Sequence, residues 1–153
     1  MIAVKLSKLR PLEKKLLKAA ESALKNAYNP YTRTTVGAAV LSKEGKIFKG
    51  SSFANQSGGS NVCAERAAVL NANTNGFRKI EKLAIFENDS VKGGEPAMPC
   101  GICLQFLEEL PKISGKDLEI ITSNDSKTRI FKTKLSELLP FPYNGSNGKK
   151  AKR

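Results

Sequence analysis

Hydrophobic residues occur along this chain in two patterns, a regular spacing and short runs, and each pattern predicts one type of element. In residues 11–27 they recur at every fourth position, at Leu12, Leu16, Ala20 and Leu24. This is the pattern of one apolar face of an α-helix. Residues 36–42 form a short apolar run, and a second run at residues 46–53 follows the turn at residues 43–45. These two runs predict a pair of strands, the first of them buried.

The rest of the chain continues in the same way. Further helices are predicted at residues 63–72, 100–110 and 134–139, and further strands at residues 80–86, 118–122 and 128–131. Two strand-to-helix crossovers bring the starts of two helices to the same edge of the sheet. The order of elements predicts an α/β protein with three α/β/α layers around a mixed five-stranded sheet.

Composition is that of an ordinary globular protein. The chain has 153 residues, of which 40% are hydrophobic and 26% charged, enough for one core. We expect a single domain over residues 1–144 and a disordered, basic tail over residues 145–153. We expect no signal peptide and no membrane span, because the N-terminus is too charged and every apolar run too short.

The net charge and the number of cysteines indicate which binding partners and which cellular compartment to expect. The net charge of +12 would suit a polyanion such as nucleic acid. The lysines are spread over the first helix and the tail, however, without the aromatic residues on which bases stack. We therefore favour a solvated basic surface over nucleic-acid binding. The odd number of cysteines favours a reducing compartment, so we expect a cytoplasmic protein.

All three cysteines lie in two short segments, Asn61-Val62-Cys63-Ala64-Glu65-Arg66 and Pro99-Cys100-Gly101-Ile102-Cys103. A cysteine with glutamate two positions later, followed by Pro-Cys-x-x-Cys, is the pattern of the zinc deaminases. Three thiolates would hold Zn²⁺ and leave its fourth position open to water. Cys63 and Cys100 lie at the starts of predicted helices, where the helix dipole stabilises a thiolate.

Two other interpretations of the cysteines are less consistent with the sequence. The three cysteines could be unrelated buried thiols, but then the match to the complete deaminase pattern would be a coincidence. A structural zinc site is normally closed by a fourth cysteine or histidine, and the chain has three cysteines and no histidine. We therefore predict one catalytic zinc ion per chain, held by Cys63, Cys100 and Cys103.

The chain resembles the cytidine deaminase family in its small, homotetrameric form. The similarity extends over residues 12–143. Besides the two cysteine segments, it rests on Asn29-Pro30-Tyr31, Val36-Gly37-Ala38-Ala39, Gly45-Lys46-Ile47-Phe48-Lys49-Gly50 and Glu137-Leu138-Leu139-Pro140. The resemblance implies a zinc hydrolase that acts on a cyclic amidine C–N bond in pyrimidine salvage, and a homotetramer.

The resemblance also implies roles for the residues around the zinc. Glu65 would be the general acid and base that moves protons between water, the ring nitrogen and the leaving amine. The backbone N–H of Ala64 would bind the ring carbonyl oxygen. Arg66 would contact the cysteine sulfurs and offset their negative charge, and Gln105 matches a family glutamine near the same thiolates.

The sugar-binding positions depart from the family pattern. Members that act on cytidine carry an asparagine and a glutamate that hold the ribose, and these positions are Ser52 and Ala54 here. The family's aromatic residue near the Pro-Tyr loop is Thr34, and the C-terminal phenylalanine is Tyr143, as in the blasticidin S deaminases. The predicted substrate contacts are Thr34, Ser52, Ala54, Asn55, Ala64, Pro99 and Tyr143.

Three functions are therefore open. The first is hydrolytic deamination of cytidine and deoxycytidine to uridine and deoxyuridine, with release of ammonia. The second is the same chemistry on a modified aminopyrimidine, such as blasticidin S or an N4-substituted cytidine, which Ser52 and Ala54 favour. The third is a basic zinc protein that binds or edits RNA, against which the lack of an RNA-binding module counts. We take the first as the working hypothesis, because it is the commonest activity in the family.

Overall fold

One mixed sheet forms the centre of the protein. The computed structural model describes residues 1–32, 34–88 and 94–145, so the predicted tail lies outside the described residues beyond Gly145. The strands are β1 (Ile2–Val4), β2 (Thr35–Ser42), β3 (Ile47–Ser51), β4 (Ile80–Asn88), β5 (Glu119–Ser123) and β6 (Ile130–Lys134). Their order across the sheet is β1-β6-β5-β4-β2-β3. Strands β4 and β5 are parallel, and the other neighbours are antiparallel.

Helices cover both faces of this sheet. They are α1 (Pro11–Ala23), α2 (Ala64–Thr74), α3 (Gly101–Leu107), α4 (Glu109–Ser114) and the short α5 (Leu135–Leu138). Ala38 and Val40 of β2 pack with α2, α3 and α4, whereas Ala39 and Leu41 face α1. This alternation follows from the strand period of two residues, and it confirms the predicted α/β/α layers. None of the helices in the described ranges is long and apolar enough to cross a membrane.

The prediction of five strands is wrong, because the N-terminus adds a sixth. Ile2 pairs with Lys132 and Val4 with Ile130, antiparallel to β6. Strand β1 has only three residues, and Ile2 is 62% exposed. A segment this short shows neither alternation nor a buried face, so its pairing depends on a strand that lies more than a hundred residues later in the chain.

The helix predicted at residues 100–110 is also divided in two by the structure. Helix α3 ends at Leu107, and α4 begins at Glu109. Proline has no N–H and disrupts a helix interior, but it fits the first turn. Pro111 lies in the first turn of α4. Because a new helix begins at Glu109, the proline occupies a position where it is tolerated, and helical structure continues after it.

Close contact with β3 fixes the position of α2. A Cβ atom at Gly50 would lie 2.2 Å from the backbone nitrogen of Ala68 and 2.4 Å from the carbonyl oxygen of Ala64. Only glycine allows the strand and the helix to approach this closely. The contact holds the first turns of α2, which carry Glu65 and follow Cys63, against the sheet.

A buried carboxylate joins α1 to the sheet. Glu13 is 1% exposed, and its Oε1 accepts hydrogen bonds from Arg10 Nη2 at 2.7 Å and from Lys132 Nζ at 2.8 Å. Burial by itself raises the pKa of Glu13. The hydrogen bonds from Arg10 and Lys132 lower it by more, so that the pKa falls from 4.5 to about 2. The ionised carboxylate therefore stabilises the folded state.

We expect Glu13→Gln to lower the free energy of unfolding by roughly 3 kcal/mol at neutral pH, since one pKa unit corresponds to about 1.4 kcal/mol. The contribution is present above pH 4.5 and is lost as the pH falls to about 2. The difference between variant and wild type should shrink over that range, which urea unfolding at several pH values measures. The control is Glu21→Gln, which breaks the partly exposed pair with Lys127 and should cost under about 1 kcal/mol. Equal losses in both variants would contradict the assignment.

Candidate active site and metal centre

Two of the cysteines occupy the caps of two helices. Cys63 has an extended backbone and immediately precedes α2, and its carbonyl accepts the first helical hydrogen bond from Ala67 N at 3.1 Å. Cys100 holds the same position before α3, and its carbonyl accepts from Leu104 N at 2.9 Å. Both side chains therefore lie where the peptide dipoles favour negative charge. Cys103 lies within α3 and is buried.

The three sulfur atoms lie within 4.8 Å of one another. Tetrahedral zinc with Zn–S bonds of about 2.3 Å holds its sulfur ligands about 3.8 Å apart, so only small movements are needed to bind the ion. Exposure increases from the buried Cys103 through the half-buried Cys63 to the exposed Cys100. The group could therefore hold a metal ion on its inner side and leave the outer side open.

The chemistry of the thiols fits a cation. A hydrogen bond from Cys103 lowers the pKa of Cys63, and Arg66 contributes to the lowering. The same hydrogen bond and burial raise the pKa of Cys103. Protein groups alone thus favour one thiolate in this pair, because two thiolates at this separation repel each other. A divalent cation would supply the positive charge that three thiolates require.

Arg66 lies against the same sulfurs. Its guanidinium interacts with Cys63 and Cys103, and its Nη2 donates a 2.7 Å hydrogen bond to the carbonyl of Asn61. Its Nε is buried and has no hydrogen-bond partner among the described residues. A buried donor without a partner is costly, and thiolate lone pairs at the metal centre would satisfy it.

Glu65 is the buried carboxylate of the site. It lies in the first turn of α2, two residues after Cys63, and is 5% exposed. Burial raises its pKa to about 6, and the negative charge on Cys63 contributes to the increase. A carboxyl group with a pKa this close to neutrality can both accept and donate a proton.

A cavity of about 220 Å³ opens beside these residues. Glu65, Cys63 and Cys100 form one side of it. The remaining walls come from the loop before β2, the start of β2, the chain after β3 and the loop before α3: Asn29, Thr34, Val36, Ser52, Phe53, Ala54, Asn61, Val62, Ala97 and Met98. The structure thus brings three predicted substrate contacts, Thr34, Ser52 and Ala54, into the same cavity as the acid/base and two cysteines.

The other predicted substrate contacts lie outside this lining. Ala64 is buried at the first position of α2, and Pro99 is buried before Cys100. Asn55 is exposed, and its Oδ1 accepts a hydrogen bond from Ser57 N at 2.9 Å. Tyr143 is 73% exposed. The substrate contacts of these four residues, like those of Thr34, Ser52 and Ala54, stay predictions.

Gln105 makes a contact that differs from the one implied by the resemblance. Its Nε2 donates to the carbonyl of Tyr143 at 2.9 Å, and its Oε1 accepts from Tyr143 N at 2.8 Å. Both of these amide hydrogen bonds go to the backbone of the C-terminal segment. Gln105 thereby ties that segment to α3, the helix that carries Cys103.

Sequence reasoning missed the residues that shape the walls. Asn29 Nδ2 donates to the carbonyl of Thr34 at 2.7 Å, which folds the loop at the cavity edge. Asn124 is 3% exposed, and its Nδ2 donates to the carbonyl of Gly94 at 3.1 Å, which anchors the segment before Met98. An asparagine next to a proline could have indicated the first contact, but the second joins residues thirty positions apart.

Fold and site together define the class of the protein. Two helix starts bring three thiols together beside a buried carboxylate at the edge of one cavity, on a sheet with helices on both faces. This is the arrangement of a zinc-dependent deaminase. Residues 11–114 match the model of the cytidine and deoxycytidylate deaminase zinc-binding region. The chain belongs to this family and is a hydrolytic deaminase with Zn²⁺ as its cofactor.

Individual relatives agree with this assignment. The cytidine deaminase of Halalkalibacterium halodurans is 36% identical over 125 residues, which cover 82% of this chain and 89% of that protein. The cytidine deaminase of Sporosarcina psychrophila is 32% identical over 126 residues, 82% of this chain and 87% of that protein. The crystal structure of cytidine deaminase from Burkholderia pseudomallei matches with a TM-score of 0.74 at 33% identity, covering 84% of this chain and 97% of that chain.

Proposed function

We propose that the protein deaminates cytidine and deoxycytidine to uridine and deoxyuridine and releases ammonia. The observation that carries the proposal is the position of Glu65, buried beside the three sulfur atoms and lining the same cavity as Cys63 and Cys100. The cavity gives a pyrimidine ring access to both the acid/base and the metal centre. The relatives named above are cytidine deaminases, which supports cytosine as the ring of the proposed substrates.

Glu65 would carry the protons. As a carboxylate it takes a proton from the attacking water, and as an acid it delivers protons to the ring nitrogen and then to the leaving amine. The water oxygen becomes the new ring carbonyl, and the amino group departs as ammonia. Bound zinc would supply the nucleophile by lowering the pKa of a water molecule.

Two neighbours of Glu65 would position the reaction. Ala64 N–H belongs to the first turn of α2, where backbone donors have no partner within the helix, and we propose that it binds the ring carbonyl oxygen. Arg66 would neutralise part of the thiolate charge, because its guanidinium interacts with Cys63 and Cys103. With less negative charge at the sulfurs, a water molecule at the centre loses its proton more readily.

A modified aminopyrimidine is a second candidate substrate. Ser52 and Ala54 line the cavity where the family pattern has an asparagine and a glutamate for the ribose. A base with a different N1 substituent, as in blasticidin S, would depend less on those partners. A substituted amino group, as in an N4-substituted cytidine, would change the leaving group and keep the ribose. This alternative uses the same centre and the same proton carrier.

We further propose that residues 1–144 form one domain of a cytoplasmic homotetramer that works in pyrimidine salvage. The support for association is an apolar groove of about 410 Å³ between α2 and α4, whose lining includes Phe77 and Ile113. Leu70 and Phe106 line it as well and are 49% and 37% exposed. Burying such side chains against another copy is favourable. Sedimentation velocity measures the assembly, and an active monomer would contradict it.

The experiment for the function is a panel of substrates with pure protein. We expect ammonia release from cytidine and deoxycytidine, together with about one zinc per chain by metal analysis. Blasticidin S and cytosine are tested in the same assay. N4-acetylcytidine is tested by the change in ring absorbance, because its amino group would leave as acetamide and not as ammonia. Turnover of blasticidin S or N4-acetylcytidine without turnover of cytidine or deoxycytidine would replace the first candidate by the second.

A further inference from the structure

The walls of the cavity around its outer part are mainly apolar. Val36, Phe53, Ala54, Ala97 and Met98 all contribute to the lining. Phe53 is 54% exposed and stacks on Tyr28, with ring centroids 5.1 Å apart. A substituent that extends from a bound ring toward this rim therefore meets methyl groups, a thioether and an aromatic face.

The polar groups of the same lining are largely engaged within the protein. The Oδ1 of Asn29 accepts hydrogen bonds from Tyr31 N and Thr32 N. The Oδ1 of Asn61 accepts from Asn55 N at 2.6 Å. Ser52 Oγ accepts from Val36 N at 3.1 Å. Each of these oxygen atoms thus already accepts at least one hydrogen bond from a backbone donor.

Only one side-chain carboxylate lines the cavity among the described residues, and it is Glu65. Glu65 is required for the proton transfers and lies buried beside the sulfurs. A hydroxyl group is a hydrogen-bond donor as well as an acceptor. A sugar hydroxyl in the outer part of the cavity would gain no charged acceptor, so a substituent with hydroxyl groups has little advantage over one without them.

We propose that this site accepts aminopyrimidines with or without hydroxyl groups on the N1 substituent, and that it hardly detects a sugar 3′-hydroxyl. Ala54 is the specificity-determining position, because a methyl group there lines the cavity where a carboxylate could reach a sugar hydroxyl. This inference rests on the proposed function. It concerns the sugar alone and leaves the chemistry at the ring unchanged.

The test compares kcat/KM for cytidine, 2′-deoxycytidine, 2′,3′-dideoxycytidine and cytosine. We expect wild-type values for cytidine and dideoxycytidine within about fivefold of each other, whereas a site built to bind a hydroxyl rejects the analogue that lacks it far more strongly. Ala54→Glu should raise the cytidine to dideoxycytidine ratio by about tenfold or more. Cytosine, which has no sugar, measures how far the added carboxylate affects the chemistry at the ring, and the ratio of the two nucleosides is free of that effect.

The matched control is Gln56→Glu, which adds the same charge two residues later on an exposed position. It should leave the ratio unchanged. A wild-type preference for cytidine over dideoxycytidine of about 100-fold or more would overturn the inference while leaving the proposed function intact. An unchanged ratio in folded Ala54→Glu would also overturn the role of Ala54. No turnover of any of the four compounds would instead refute the proposed function.

Discussion

Glu65→Gln is expected to lose nearly all turnover while retaining the fold and the zinc. A single missing general acid or base typically costs about 10²–10⁴-fold. Here the same carboxyl group serves water, the ring nitrogen and the leaving amine, so we expect a fall in kcat of at least about 10³-fold. Glutamine has the same shape but cannot take up or release a proton at neutral pH, so the substitution isolates proton transfer.

Measuring the thermal stability of Glu65→Gln distinguishes a loss of proton transfer from misfolding. Burial raises the pKa of Glu65 to about 6, so its ionised form destabilises the folded protein above that pH. The penalty fades as the pH falls toward the ordinary value of 4.5. The neutral glutamine lacks the penalty, and we expect Tm at pH 7 to stay the same or to rise.

The control for Glu65→Gln is Glu81→Gln. It makes the same charge change on a carboxylate that pairs with Lys116 at 3.0 Å and lies outside the cavity lining. Kinetics, zinc analysis and thermal unfolding of the three proteins constitute the measurement. Turnover of Glu65→Gln within tenfold of wild type would show that another group carries the protons.

The sequence predicted the group of three cysteines, which the structure brings together, because within each of its two segments the spacing is local. Cys63 and Glu65 share the first turn of one helix, and Cys100 and Cys103 share another. The four-residue spacing of α1 and the short apolar run of β2 likewise predicted the helix and the buried strand. In each case a spacing of a few residues fixes which side chains lie together.

Other features depend on residues distant in the chain, and the sequence could not indicate them. Strand β1 exists because it pairs with β6. The partner of Gln105 is a backbone segment 38 residues later, although its position two residues after Cys103 suggested a contact with sulfur. Likewise, the hydrogen bond from Asn124 to Gly94 joins a turn to the cavity wall. Such contacts follow from the topology of the sheet.

Cys100→Ala is expected to abolish stable zinc binding. Removing one of three thiolates leaves two protein ligands, whereas losing even an outer-shell partner typically weakens metal binding about 10–100-fold. We therefore expect at least about 100-fold weaker affinity for zinc, and a zinc content near zero after dialysis against a weak chelator. Cys100 is the exposed member of the group, so alanine at this position removes little packing.

The matched control for Cys100→Ala is Ile102→Ala, between the two cysteines of α3. Ile102 is 67% exposed, so this variant also shortens a side chain near the start of the helix but retains all three sulfur atoms. It should hold zinc like wild type, and its Tm should rise with added zinc, because a ligand that binds only the folded state stabilises it. Cys100→Ala should lack that zinc-dependent rise. If it kept one zinc per chain with wild-type affinity, Cys100 would not be a ligand, and the assignment of the metal to the three cysteines would be wrong.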